Sequence, residues 1–259
     1  MRLAFRIAYF GTGFSGSQQQ TGKRTVMDDI IKSLTELNLF SDRQKARIYL
    51  SGRTDRGVHA RCQVISFTTP YPERAVLAIN KKLPGDIRFT GWAEVDENFN
   101  PRLAAKKRTY RYYFYGTDYD IEKMRQSAAY FEGRHNFTRF ARLDGKSPHR
   151  EILSCDVFTE DGFTVFEITG VSFLWNMVRC MSHALMLAGR GEIEPVEIRD
   201  SLLNTEGHRY PAAPPEGLVL WDVDCGIVFT PIDVHRKSIS HQDEILKKYA
   251  QLKKTAELW

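Results

Sequence analysis

The stretch Ser51–Ala60 reads SGRTDRGVHA, and it crowds Arg53, Asp55 and Arg56 between Gly52 and Gly57, with His59 closing the turn. To its left, ARIYL (46–50) has the pattern of a β-strand. To its right, CQVISFTT (62–69) has the pattern of another. The two glycines permit backbone shapes that let a loop approach a ligand closely. Two flanking strands would hold such a loop rigidly, as chemistry requires. Arginines grip phosphates, and a carboxylate between them faces whatever they hold. An aspartate in a turn also commonly bonds only its own backbone. The residues alone leave both readings open.

The chain has 259 residues, 42% hydrophobic and 27% charged, which is ordinary globular composition with room for one large domain or two small ones. No stretch reaches the ~20 consecutive apolar residues of a membrane span. The basic, alternating start MRLAFRIAYFG lacks the apolar core of a signal peptide. Cys62, Cys155, Cys180 and Cys225 are scattered with no C-x-x-C pair, so neither a disulfide framework nor a zinc site is expected. The expectation is a cytoplasmic protein without a membrane partner. A net charge of +5 permits a polyanionic partner. In KKRTYRYYFY, the cations Lys106, Lys107, Arg108 and Arg111 interleave with Tyr110, Tyr112, Tyr113 and Tyr115. That mixture suits a surface that grips a nucleic-acid backbone and stacks on bases. Taken alone, the segment fits somewhat better a strand with a charged solvent face and a tyrosine-rich buried one.

Patterning predicts strands at 2–10, 46–50, 62–69, 87–95 and 106–116, and helices behind Thr25 and over 72–82. The second part repeats the rhythm. A helix over IEKMRQSAAYFEG precedes strands at 151–159 and 163–169. An apolar helix at 173–188 and a shorter one at 195–203 come next. The strand LVLWDVDC follows, and then a last amphipathic helix presenting Ile245, Tyr249, Leu252 and Ala256, with Ser240 and Asp243 as its capping box. Hairpin-like strand pairs without strict βαβ alternation predict an α+β protein with a mostly antiparallel sheet. Two strand–helix–strand–strand–helix halves divide near residue 105: residues 1–105 carry the aspartate loop, and 106–259 carry the tyrosine strand and the Arg179 helix.

No G-x-x-x-x-G-K, H-E-x-x-H or G-x-S-x-G motif is present, and GTGFSG has the wrong spacing for a dinucleotide loop. A lone aspartate beside cations, without a metal or second carboxylate, suits attack or proton removal at a sugar carbon. GRTDRGVHA resembles the catalytic motif of the tRNA pseudouridine synthase A family, whose usual form is G-R-T-D-A-G-V-H. NFNPRLAAKKRTYRYYFY, LPGDI (83–87), FLWNMVR (173–179) and EGLVLWDVD (216–224) resemble further family segments in the family's order, up to about residue 226.

The resemblance implies two ferredoxin-like (RRM-like) halves around a continuous, mostly antiparallel sheet with an RNA-binding cleft. It implies a homodimer acting on uridines 38, 39 and 40 of the tRNA anticodon arm, with no metal and no organic cofactor. Asp55 would be the catalytic aspartate, acting at the ribose by attack on C1′ or by removing the C2′ proton. Tyr110 would stack on the uracil, and only the resemblance selects it over Tyr112. Arg179 would pair with the aspartate and keep it ionised. Read from its neighbours alone, Arg179 is either a charge paired among apolar residues or a solvent-facing one beside Asn176 and His183. Arg53 would fill the space left by the flipped nucleotide. Arg53, Arg56, Lys106, Lys107, Arg108 and Arg111 would contact the RNA. His59 is assigned to loop structure. Ser17 and Arg56 depart from the family's usual tryptophan and alanine, and both are expected to change the grip on RNA. The rival readings are a synthase for other RNA positions, an RNA-binding protein without catalysis, and a glycosidase, which would want a second carboxylate.

Overall fold

The computed structural model describes residues 1–116, 118–233 and 235–258. Its contacts divide into two compact units, Met1–Ala104 with Ile227–Trp259, and Ala105–Gly226. Among the described residues there are ten strands and eight helices, a mixed α+β fold. No helix among them is long and apolar enough to cross a membrane.

The first unit runs β1 (Arg2–Tyr9), α1 (Val26–Glu36), α2 (Arg43–Ala46), β2 (Tyr49–Leu50), β3 (His59–Thr68), α3 (Pro72–Lys82), β4 (Ile87–Glu94) and α4 (Pro101–Ala104). β1 is flanked by β4 and β3, and β2 pairs with β3, all antiparallel. This β4-β1-β3-β2 order is the ferredoxin-like βαββαβ arrangement. Thr25 caps α1 by accepting from Asp28 N at 3.2 Å, as the Thr25/Asp28 spacing predicts. Val26, Ile30 and Leu34 turn the helix's apolar stripe into the core. Phe5 anchors that core, its ring 5.2 Å from Phe67 and 5.0 Å from Phe89.

Two expectations change here. The predicted strand at 46–50 shrinks to Tyr49–Leu50, because Asp42 caps a short helix and Arg47 takes a left-handed conformation at φ 45°. Arg2, on the polar side of the β1 alternation, is only 4% exposed. Its guanidinium donates to Phe99 O, Arg47 O, Thr68 Oγ1 and Ser66 Oγ at 2.7–3.1 Å. Four neutral acceptors make that burial tolerable. Burial, followed by the charge of Arg47, holds its pKa below the ordinary arginine value.

The second unit runs β5 (Lys107–Phe114), α5 (Ile121–Ala129), β6 (Gly133–Asn136), β7 (His149–Glu160), β8 (Phe163–Gly170), α6 (Met177–Gly189), α7 (Pro195–Leu203) and β9 (Leu218–Asp224). Its strand order β9-β5-β8-β7-β6 repeats the same arrangement with one added edge strand. Phe131, Phe137, Phe140 and Phe166 form a fully buried aromatic cluster between sheet and helices. The apolar helix predicted from 173 begins only at Met177, because Asn176 sits at φ 60° within a turn closed by Met177 N donating to Leu174 O at 3.2 Å.

After β9 the chain returns to the first unit. β10 (Thr230–Pro231) pairs with β4, and α8 (Arg236–Ala256) follows. The Arg6 guanidinium lies over the Phe229 ring, 4.9 Å from its centroid, and His241 packs against Gly85 and Phe10. His235 caps α8 by accepting from Lys237 N, so Ser240 and Asp243 lie inside the helix and form no capping box. Tyr249 and Leu252 stand about half exposed rather than buried.

Candidate active site

The loop between β2 and β3 is fixed by its backbone. Ser51 N donates to Val64 O at 2.8 Å, and Gln63 Nε2 donates to Gly52 O at 3.1 Å. Thr54 is buried, with its hydroxyl 2.8 Å from Tyr9 Oη. Thr54 N donates to Ser17 Oγ at 2.9 Å, and Ser17 N donates back to Thr54 O at 3.1 Å. Gly57 turns the chain at φ 83°, and Val58 N reaches Asp55 O at 3.2 Å. A second segment presses in from below. A Cβ on Gly11 would lie 2.1 Å from Val58 O, and one on Gly16, itself at φ 107°, would lie 2.9 Å from Thr54 O. No side chain fits at either place.

The result is an alternating display. Thr54, Gly57 and Val58 point inward and are buried, Asp55 is half-buried, and Arg53 and Arg56 are exposed. His59 Nδ1 accepts from Gly11 N at 3.2 Å, a contact that ties the loop to its support. Ser17 is fully buried, and its hydroxyl holds the Asp55 loop from beneath. Sequence reasoning missed that role, because the partner lies 37 positions away.

The second unit positions Tyr110 and Arg179. Between Thr109 and Tyr110 the β5–β9 register slips by one residue, a bulge of the kind that re-aims a side chain. The Tyr110 ring, half-buried, meets Phe173 edge-on with centroids 5.1 Å apart. A Cβ on Gly170 would come within 2.9 Å of Phe173 Cζ, so a small residue there makes room for that ring. Tyr112, the alternative on the same face, is buried and donates to Pro214 O at 3.1 Å. Burial pushes its pKa up to about 12 against the lowering effect of nearby Arg179.

Arg179 is half-buried in the first turn of α6. Its Nε donates to Ala213 O at 2.6 Å, and Ala213 N donates back to Arg179 O at 3.0 Å. Asn176 Oδ1 lies 3.4 Å from Nη1. The Pro-rich turn before β9 therefore clamps both residues, Arg179 through Ala213 and Tyr112 through Pro214. A Cβ on Gly217 would fall 2.7 Å from Tyr112 Cζ, which adds a steric reason for glycine there. YPAAPPEG (210–217) has the proline and glycine content of a turn. Its two carbonyls become site supports only through the tertiary fold.

The expected RNA-contacting cations fare differently. Lys106 and Lys107 are exposed, and Arg108 donates to Val171 O at 2.9 Å. Arg111 is corrected. It donates to Glu167 at 2.6 Å and to both Glu160 oxygens at 3.0 and 3.1 Å, and it stacks 3.8 Å over Trp221. Burial lowers its pKa, but the Tyr113 and Glu167 side chains and the Glu160 charge outweigh that and hold it above the ordinary value. Its charge is committed inside the protein. Among the described residues, no group of three His, Cys, Asp or Glu side chains gathers to hold a metal.

Asp55 with Arg53 and Arg56 thus belongs to the first unit, and Tyr110 with Arg179 to the second. The first unit carries a half-buried carboxylate on a backbone-locked loop between two exposed cations. A family model described as tRNA pseudouridine synthase matches residues 127–224, which supplies the class. The chain is 51% identical over 241 residues to tRNA pseudouridine synthase A of Methanoculleus marisnigri, covering 93% of this chain and 89% of that one. It is 50% identical to the enzyme of the same name from Methanosphaerula palustris (92% and 85% covered) and 42% identical to that of Thermococcus kodakarensis (86% and 85%). The chain belongs to the tRNA pseudouridine synthase A family, isomerases that act on tRNA uridines.

Two outcomes follow from the supports. Ser17→Ala deprives the buried Thr54 N–H of its acceptor and should lower the unfolding free energy by about 1–3 kcal/mol in urea titrations. An unchanged midpoint would show that the Ser17 hydroxyl does not hold the loop. For Tyr112, a folded pKa of about 12 lies above the ordinary 10.0, so its contribution is complete below pH 10 and is lost as pH rises through 12. Wild type should therefore lose more stability than Tyr112→Phe between about pH 10 and about pH 12. Equal losses would refute the shift.

Proposed function

We propose that the chain converts uridine to pseudouridine at positions 38, 39 and 40 of the tRNA anticodon arm, with Asp55 acting at the ribose. The observation that carries this reading is the half-buried Asp55 on a backbone-locked loop between two exposed arginines. Relatives sharing about half of their residues with this chain and named tRNA pseudouridine synthase A support the substrate class.

The reaction is an isomerisation. The N1–C1′ bond of the nucleotide breaks, the uracil turns, C5 bonds to C1′, and the proton lost from C5 is replaced by one gained at N1. Nothing is oxidised or transferred elsewhere, so the balance needs no cofactor. Asp55 attacks C1′ or takes the C2′ proton. Tyr110, half open and steadied by Phe173, stacks on the uracil and serves the C5 proton step. Arg179 is the site's basic residue. Arg53 occupies the space that the flipped nucleotide vacates, offsetting an extrusion cost of about a few kcal/mol. Phosphate contacts come from Arg53, Arg56, Lys106, Lys107 and Arg108, leaving out the internally paired Arg111. The working form is a cytoplasmic homodimer.

Pseudouridine mapping of unmodified tRNA tests the chemistry. Wild type should modify positions 38–40, and Asp55→Ala should slow this by about 10²–10⁴-fold. Modification elsewhere would move the substrate site, and an Asp55→Ala protein as fast as wild type would remove Asp55 from the chemistry. Light scattering should return twice the chain mass, and a single-chain mass would rule out the dimer.

A further inference from the structure

Trp175 lies in the stretch Phe173–Asn176 and keeps 46% of its surface in solvent. Its support is rigid. Arg142 N donates to Trp175 O at 2.9 Å in an isolated antiparallel bridge, and Asn176 turns left-handed immediately after it. The Arg142 guanidinium lies over the indole, 4.8 Å from the ring centroid. Among the described residues no carboxylate pairs with Arg142, in contrast to the doubly paired Arg111.

The segment that bridges to Trp175 is basic in sequence. The segment Arg139–Arg150 carries Arg139, Arg142, Lys146 and Arg150 against the single acid Asp144. An exposed aromatic ring backed by an uncommitted cation, beside a basic segment, matches a nucleotide: a π-face for the base and positive charge for its phosphate. The same stretch also carries Phe173 against Tyr110 and leads into the helix bearing Arg179. The indole is thus fixed on the segment that positions two of the proposed site residues.

We propose that Trp175, backed by Arg142, is a stacking platform for an unpaired nucleobase of the RNA substrate, with Arg142 meeting the adjoining phosphate. This rests on the tRNA reading above and adds to it a site for a base other than the target uridine.

Binding of an unmodified tRNA transcript, followed by fluorescence anisotropy at one fixed salt concentration, tests it apart from catalysis. Trp175→Ala should weaken Kd roughly ten-fold, and Trp175→Phe, which keeps a stacking ring, should stay within about three-fold of wild type. Because nearly half of the residue's surface lies in solvent, the fold should survive both changes. Saturating tRNA should quench part of the wild-type tryptophan emission, and the Trp175→Phe protein should lack that part. A Trp175→Ala protein binding within about two-fold of wild type overturns the platform. Full quenching in Trp175→Phe does the same. If wild type binds tRNA but makes no pseudouridine, the catalytic reading fails, while the ratio of dissociation constants still decides the platform.

Discussion

Backbone packed directly against backbone is the constraint on which the Asp55 site depends. Gly11 comes so near Val58 O, and Gly16 so near Thr54 O, that no side chain separates the segment after β1 from the Asp55 loop. The paired Ser17–Thr54 hydrogen bonds and the His59–Gly11 contact then leave the loop little freedom. A carboxylate on such a loop is placed before any substrate arrives, which is what preorganised chemistry needs. Arg53 and Arg56 on either side stay exposed while Thr54 between them is buried.

The second unit reaches similar rigidity by different means. The side chains proposed for its part of the site sit on a strand and a helix rather than on a loop, so they are aimed by a bulge, an edge-on phenylalanine and two carbonyls of a Pro-rich turn. Tyr110 and Tyr112 share a face of β5, yet one hydroxyl is committed to Pro214 and the other ring rests against Phe173. The two buried or semi-buried arginines make a parallel contrast. Arg2 is surrounded by neutral oxygens and its pKa falls, whereas Arg111 lies between two glutamates and its pKa rises. The same side chain is structural in both places, with opposite electrostatics.

Much of the fold was legible because it follows short-range rules. The spacing of Val26, Ile30 and Leu34 behind a threonine cap marks α1, and Pro72 at the start of α3 with Leu83 at its end marks the second helix within its limits. Misreadings fall where a single backbone angle overrides a pattern. Arg47 at φ 45° cuts a predicted strand short, and Asn176 at φ 60° delays a predicted helix by four residues. The tail was illegible for another reason: its periodicity promises a buried face, but periodicity does not say what, if anything, covers it.

By itself, the sequence determined the alternation and periodicity of each element, the α+β character, and a motif whose glycines and charges mark one loop for chemistry. These depend on neighbours within a few positions along the chain. Only the tertiary structure decided that Ser17 supports the loop, that Arg111 is committed to Glu160 and Glu167, that Ala213 and Pro214 hold Arg179 and Tyr112, and that Ile227 onward joins the first unit. Each of those depends on residues tens of positions apart meeting within about 3 Å, the reach of a hydrogen bond, and local pattern carries no record of such meetings.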